Sequence, residues 1–544
     1  MKKFLPFCMA ALLCLFGTKV MAQMSYGGEP HSFKVTLSSV IPTIEVEALD
    51  VETLLAEDAS IEGKNHALRI GVTKDVMYTN TTSGRVDILP DGSKIWRLKF
   101  HMEGATFTSM NFSTFNIPNG AELFLYTPDQ EYVIGKFTNQ NLMEDGTFYP
   151  QELPGDEVIV EYYEPAGVAF NGQLAINQIS QGYYDFFHIY ERDVEGGLGD
   201  AEGTCHPNAI CYDAEWHDQI QSVVCYTMTS GGYVYMCSGA MVNNTARDGK
   251  QYLLSANHCY EAGTWKFYFN YQATTCNGTN GSTMRTATGY TLKAKDDGNS
   301  SSDFMLVEIT GTINPAYNVF LAGWTNVATV PTNPTSCGAI HHPGGDIKKF
   351  SVPQHINNGA TSGYGKFWLA NWATATGATE QGSSGSPLFN KDKLIVGQLY
   401  AGSSSCSNPT GWDLYGKLSN SWTNNNNSSN AKKLKPWLDP NNSGVTSLQG
   451  EYLNTVGMTN FTQVMDALNV YPNPNNGQMT VSGNFSEGNG TCMVYDMMGN
   501  LVLSRSITLA PEFNLNLNSL APGMYMMEIN DNTHISRAKI IISK

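Results

Sequence analysis

The sequence predicts an all-β protein: a pair of small β-barrels flanked by an N-terminal β-sandwich-like domain and a small C-terminal β-sandwich. Runs of strand-forming residues alternate with turn signals through the first two hundred residues. The stretch from about 204 to 440 holds many short strand candidates without long helical periodicity, the pattern of a barrel or a pair of barrels. A length of 544 residues also exceeds one ordinary domain.

Taken in order, residues 1–22 have Lys2 and Lys3, an apolar run from Phe4 to about Val20, and a small residue before a cut after Ala22. This is the pattern of a secretory signal peptide, and no other stretch is long and apolar enough to cross a bilayer. Residues 23–203 lack cysteine and alternate as strands, as in IWRLKF (95–100), AELFLY (121–126) and EVIVEYYEP (157–165). Pro90-Asp91-Gly92 and Pro118-Asn119-Gly120 supply turns, and nothing here resembles a catalytic cluster. Within 204–440, QYLLSA, KFYFNY, DFMLVEI and LIVGQLY read as strands, TNNNNSSN (423–430) as a polar loop, and AKKLKPWL as a closing amphipathic stretch. Residues 441–467 read as a linker, and 468–544 as a sandwich whose turns include Met498-Gly499-Asn500 and Ala521-Pro522-Gly523.

Composition bounds the function. Charged residues make up 15% and apolar residues 41%, enough for large cores. A formal net charge of -17 argues against nucleic acid or an anionic membrane as the main partner, and mildly favours cationic substrates. Of eleven cysteines, Cys8 and Cys14 lie in the signal, eight lie between Cys205 and Cys406, and Cys492 stands alone. An even set in one segment of an exported chain reads as disulfides. No CxxC pair or Cys/His spacing of the zinc type occurs, the adjacent His341 and His342 read as a structural loop, and no metal or cofactor is expected.

The chemistry centres on Gly382-Ser383-Ser384-Gly385-Ser386-Pro387. A serine between glycines in a tight segment can expose its hydroxyl while backbone N–H groups turn toward one point, so Ser384 is the candidate nucleophile. It requires a general base and a carboxylate that holds the base in the right tautomer. His258, in YLLSANHCY, stands at a strand end beside a cysteine; Asp303, in SSDFMLVEI, precedes a strand expected to be buried and needs a partner. The chain order His, Asp, Ser fits chymotrypsin-like enzymes and neither α/β-hydrolases nor subtilisins. Position 386 is Ser, so GxSxG also fails.

Six segments in order, SGAMVNNTARDGKQYLLSANHC, SSDFMLVEI, AIHHPGGDIKKFS, TEQGSSGSPLF, VGQLYAGSSSCS and WDLYGKLSNSW, resemble the bacterial lysyl endopeptidases, chymotrypsin-fold serine proteases that cut after lysine. The resemblance implies His258 as general base, Asp303 as its orienter, Ser384 as nucleophile, and the N–H groups of Gly382 and Ser384 as the oxyanion hole. Trypsin-like enzymes carry the specificity carboxylate six residues before the nucleophile, where this chain has Ala378; lysyl endopeptidases carry it later, at the position of Asp413. A buried carboxylate there would reject apolar side chains, which leave it desolvated and unpaired. Trp372 and Tyr400 are the expected cleft aromatics, and Tyr400-Ala401-Gly402 stands where the closest members have His-Gly-Gly, so Ala401 adds a methyl beside the pocket. The resemblance also implies disulfides Cys205–Cys406, Cys211–Cys276 and Cys237–Cys259; parity alone pairs Cys225 with Cys337.

Trypsin zymogens switch on when a new N-terminus pairs with an Asp just before the catalytic serine. That position is Ser383, and no basic residue followed by Ile-Val-Gly occurs near 204, so activation by that ion pair is not expected. Residues 23–203 are expected to act as a propeptide that assists folding or covers the cleft, removed between about 190 and 204, with Arg192 the nearest basic residue. The end of the chain, through YPNPNNG, VYDMMGNLV, LAPGMYMMEI and KIIISK, resembles the type A C-terminal sorting domain of the type IX secretion system of Bacteroidetes. This implies the type IX machinery as a partner and passage through the periplasm to the outer surface or the medium. The expected function is a secreted serine endopeptidase acting on protein or peptide substrates at lysine. The rival readings are a catalytically silent protease-fold adhesin and a serine protease of broader specificity, the latter disfavoured for acidic side chains by Asp413.

Overall fold

The computed structural model describes residues 27–543, apart from 62–64, 144, 186–204, 298–300, 360–364, 373–376, 409–410, 425, 454–467, 484–487, 496–500, 519 and 531–534. The signal segment, the region of expected propeptide cleavage with Arg192, the second half of the expected linker and the turn at 498–500 thus lie outside the described residues. The chain forms two compact units, 1–456 and 457–544.

In the larger unit, the expected N-terminal sandwich forms from alternation of apolar and polar residues. Its first sheet is built around Lys94–Met102 and Glu157–Glu164, paired antiparallel with Leu98 opposite Val160 and Phe100 opposite Val158. These side chains face Met110, Phe112, Phe115, Ile176 and Ile179 from a second sheet, giving one dry core. That second sheet does not stop at the expected boundary near 203. The strand Leu68–Thr79 pairs on one side with Gln173–Gly182 and on the other with Tyr233–Met241, with Gly71 opposite Val234 and Leu68 opposite Met236. The result is an eleven-stranded sheet shared by the N-terminal region and the first barrel.

The first barrel curls Val223–Ser230, Tyr233–Met241, Tyr252–Ala256, Thr264–Phe269 and Phe304–Ile309 around Val224, Tyr226, Trp265, Phe267, Met305 and Val307. The second barrel uses Gly338–His341, Lys349–Ser351, Pro353–Asn358, Phe367–Trp372, Pro387–Phe389, Ile395–Gly402 and Trp412–Lys417 within one nine-stranded sheet. Leu254, Phe304 and Leu306 of the first barrel share a buried cluster with Ile340, Phe350, Phe389 and Ile395 of the second. The interface between barrels is therefore apolar at its heart. The first part of the expected linker is docked: Leu448 pairs with Trp324 and Tyr452 with Phe320. AKKLKPWL closes the domain through the buried Leu434 and Leu438.

The smaller unit is a sandwich of a three-stranded and a four-stranded sheet around Val481, Cys492, Val494, Met527, Ile529 and Ile540. No helix among the described residues is long and apolar enough to cross a membrane.

Candidate active site

His258 sits in the single helical turn Asn257–Cys259 that ends the 252–256 strand, and Cys259 is bonded to Cys237 on the neighbouring strand. Asp303 opens the 304–309 strand, which pairs with 252–256, so strand pairing alone brings the two residues together. The Asp303 carboxylate accepts twice from His258, at Oδ1 from the backbone N–H (3.1 Å) and at Oδ2 from Nδ1 (2.6 Å). Holding the proton on Nδ1 leaves Nε2 as the basic nitrogen. Nε2 is buried and has no hydrogen-bond partner among the described residues.

Asp303 adopts φ +56°, a left-handed conformation that Asp tolerates better than most residues. Its carbonyl accepts Asn257 N–H at 2.9 Å and Gln398 Nε2 at 3.2 Å, which fixes the turn. Burial pushes the Asp303 carboxyl up from its ordinary range, while the charge and hydrogen bonds of His258 pull it back down.

Ser384 is buried in the loop between barrels. The Gln381 carbonyl accepts Gly344 N–H at 2.7 Å and the Ser383 carbonyl accepts Ser386 N–H at 3.0 Å. In a trans peptide the N–H points opposite the C=O, so these two anchors turn the Gly382 and Ser384 N–H groups the other way. The Gly382 carbonyl takes Ser238 Oγ at 2.8 Å and the Ser384 carbonyl takes Ser238 N–H at 2.9 Å, which ties the loop to the first barrel. Gly385 is required: its φ is +80°, and a Cβ there would overlap Ser255 Oγ, which is held by Tyr226 and the Ser238 carbonyl.

Asp413 is fully buried on the 412–417 strand. Its Oδ2 accepts from Trp372 Nε1 (2.5 Å), Thr379 Oγ1 (2.8 Å) and Ser404 Oγ (2.6 Å). Gly402 faces it across the strand pair, and a Cβ at Gly402 would overlap Oδ1, so only glycine leaves that oxygen room. Trp372 thus touches the candidate specificity carboxylate rather than standing as an open cleft wall. Tyr400 packs edge-on to His258, with ring centroids 6.1 Å apart, and stacks on Phe367 at 4.8 Å. Ala401, half-buried, lies between Tyr400 and Gly402 on the same strand, opposite Leu414. Ala378 is buried, with its carbonyl accepting from Ser351 Oγ.

Sequence reasoning missed Thr379, Ser404 and Phe367. Thr379 and Ser404 lie within segments already singled out, TEQGSSGSPLF and VGQLYAGSSSCS, and their role emerges only when two loops meet at Asp413.

The disulfides Cys205–Cys406, Cys211–Cys276 and Cys237–Cys259 are present. The expected Cys225–Cys337 bond is not: both thiols are free and buried. Cys225 packs with Leu68, Met236 and Tyr268, and Cys337 with Ala339, Trp368 and Leu388, each serving as a small apolar side chain in a different cluster. His341 and His342 are also buried. His341 bonds Ser383 and Ser351, whereas His342 stacks on Tyr271 and bonds the Asp346 carbonyl.

The N-terminal region reaches the same place. His66 Nε2 lies 3.2 Å from Gln381 Nε2, and Leu68 packs beside Gly382. A concavity beyond them is lined by Leu55, Asp58 and Tyr184 on one side and Glu380, Gln381 and Ser403 on the other.

A double barrel with a His–Asp pair at one strand end and a serine in a glycine loop between the barrels defines a chymotrypsin-like serine endopeptidase. Residues 199–416 match the family described as lysyl endopeptidase, C-terminal domain, and residues 469–543 match the secretion system C-terminal sorting domain. The chain is thus a serine endopeptidase whose residues 199–416 are similar to the lysyl endopeptidases, followed by a sorting domain that indicates export to the cell surface or the extracellular space. A lysyl endopeptidase of Pseudomonas aeruginosa is 27% identical over 343 residues, 59% of this chain and 71% of that protein. Similar solved structures include the protease Anisep of Arthrobacter nicotinovorans (18% identity, 36% of this chain and 90% of that one, TM-score 0.28). Mouse neuropsin, a serine protease, is another (16% identity, 41% and 97% coverage, TM-score 0.29).

Proposed function

We propose that this endopeptidase cleaves on the carboxyl side of lysine, with Ser384 as nucleophile, His258 as general base and Asp303 as the residue that orients it. The observation that carries the reading is the double hydrogen bond of Asp303 to His258, which leaves a buried Nε2 to act on a proton. Nε2 removes the Ser384 Oγ proton as Oγ adds to the substrate carbonyl carbon. The Gly382 and Ser384 N–H groups take the negative charge on the carbonyl oxygen. Collapse breaks the C–N bond, the imidazolium gives its proton to the leaving amine, and water repeats the cycle on the acyl-enzyme to free the acid. Asp413 receives the substrate ammonium, its carboxylate oriented by Trp372, Thr379 and Ser404. Tyr400 and Ala401 border the same strand edge, where the substrate backbone runs.

Residues 1–22 act in this reading as a signal peptide, and 23–203 as a propeptide removed between about 190 and 204. Residues 468–544 engage the type IX secretion machinery. Digestion of a denatured protein by the matured enzyme and by Ser384→Ala, followed by mapping of the cut bonds, tests the assignment. Cuts should follow lysine and vanish in the variant. Cuts that persist in the variant refute the nucleophile, and cuts after other residues refute Asp413.

A further inference from the structure

In trypsin-like enzymes the residue before the nucleophile is an acid that awaits a new N-terminus, whereas this chain has Ser383, a group that cannot form an ion pair. Its hydroxyl is nevertheless fully engaged from within the domain. Ser351 Oγ donates to the Ala378 carbonyl at 2.9 Å, so its contact with His341 Nε2 at 2.8 Å has to be received from an N–H. A neutral His341 with its proton on Nε2 then presents Nδ1 as an acceptor. Ser383 Oγ, 2.7 Å away, donates to it and accepts Glu380 N–H at 3.2 Å. With that tautomer the chain Ala378–Ser351–His341–Ser383–Glu380 is continuous, and both ends belong to the loop that carries Gly382 and Ser384. His206 packs edge-on to His341, at 5.9 Å between centroids, and bonds Glu380 Oε1 at 2.7 Å, which closes the network on its open side.

We infer that His341 is a positioning residue: by holding the Ser383 hydroxyl it keeps the oxyanion-forming N–H groups in place, a task that a liberated N-terminus performs in trypsins. The inference rests on Ser384 being the nucleophile. It makes a specific demand, because the side-chain hydrogen bonds of His341 run to Ser383 and Ser351, which hold the oxyanion loop. Its loss therefore weakens stabilisation of the tetrahedral state while sparing capture of the lysine side chain.

The test uses the matured enzyme with His341→Leu, His341→Asn and Ser383→Ala. A peptidyl lysinal, which forms a tetrahedral adduct, probes the oxyanion site; n-butylamine, which lacks a carbonyl, probes the Asp413 pocket. His341→Leu should lower kcat by about 100-fold, the scale of losing one oxyanion donor, and weaken lysinal binding by a similar factor. KM and butylamine affinity should stay within about twofold. His341→Asn, whose amide oxygen can replace Nδ1 as acceptor, should recover most of kcat. Ser383→Ala should reproduce the leucine variant, and the double variant should be no worse than either. Unchanged kcat, or a parallel loss of lysinal and butylamine binding, overturns the inference. If His341→Leu does not fold, the same split in Ser383→Ala decides. Hydrolysis surviving in Ser384→Ala would instead remove the reading on which the inference rests, so the two failures are distinct.

Discussion

Asp413 has one carboxylate oxygen committed to Trp372, Thr379 and Ser404 and the other pressed toward Gly402, in a position that water does not reach. On the reading of Asp413 as the specificity carboxylate, an acid so held discriminates by what an uncharged guest would leave desolvated. Asp413→Asn should lower kcat/KM on a lysyl ester by about 10³-fold or more while a norleucyl ester changes little, as read from paired progress curves. Gly402→Ala should act on the same discrimination, because its methyl displaces that oxygen, and KM for lysyl substrates should rise before kcat falls. At His258 the expectation differs. Asp303→Asn removes the acceptor that fixes the Nδ1 proton, so kcat should drop by about 10⁴-fold with lysine preference intact. At this scale the meeting of His258 with Asp303 was legible: NHC and SSD are local patterns in which a strand-end imidazole and a carboxylate before a buried strand each need a partner. The hydroxyls on Asp413 were not, since Thr379 and Ser404 are 25 positions apart and meet only through tertiary packing. The parity argument for Cys225 and Cys337 failed because a thiol also fills a core as a small apolar group.

The strands that carry these residues are secured unevenly. The Cys237–Cys259 bond closes a short loop, with a separation of 22 residues, and ties the turn of His258 to the adjacent strand. Replacing both cysteines by Ala should cost about 3 kcal/mol in urea unfolding, and kcat should fall because the imidazole is no longer held. Lys348, beside the 349–351 strand, is a different case. Its ammonium is fully buried and, among the described residues, bonds only neutral oxygens, the Ile220 carbonyl at 2.7 Å and Gln272 Oε1 at 3.2 Å, so desolvation pushes its pKa down to about 7. Above that value the folded state prefers the neutral amine while the unfolded chain stays protonated to about pH 10. The unfolded state then binds more protons, so this residue makes stability rise between pH 7 and 9. Lys348→Met should flatten that rise relative to the parent, measured as the difference in urea midpoints at the two pH values. Strand existence was legible from alternation, as at IWRLKF and DFMLVEI. Partner choice was not: a period of two says which face is buried and nothing about which edge is shared, so the pairing of 68–79 with 233–241 was invisible.

On the reading of 23–203 as a propeptide, that shared edge sets how the larger unit is activated. Leu68, Ile70 and Phe107 of the N-terminal region lie in one apolar cluster with Val234, Met236 and Tyr268 of the barrel. Lys266 on the barrel forms a buried ion pair with Glu152 at 3.1 Å and donates to Ser109 Oγ at 2.7 Å. Backbone pairing, apolar burial and a buried charge pair together make an interface that one cut between about 190 and 204 should leave intact. Removing either charge alone is costly, because it strands the other in a dry environment. On the reading of 23–203 as propeptide, a nicked enzyme should therefore run as a stable two-piece complex in gel filtration, with residues 66–68 still against Gln381 and Gly382. Reaction of Ser384 with a fluorophosphonate probe should be slow in that complex and should speed up when the N-terminal piece is degraded. Glu152→Ala separates attachment from coverage: it leaves Lys266 unpaired at the interface while His66 and Leu68 are unchanged in sequence. The N-terminal piece should then leave after the first cut, and probe labelling should follow its departure rather than the cut itself. Full labelling of the parent complex before any dissociation would show that the shared sheet supports folding and leaves the cleft open.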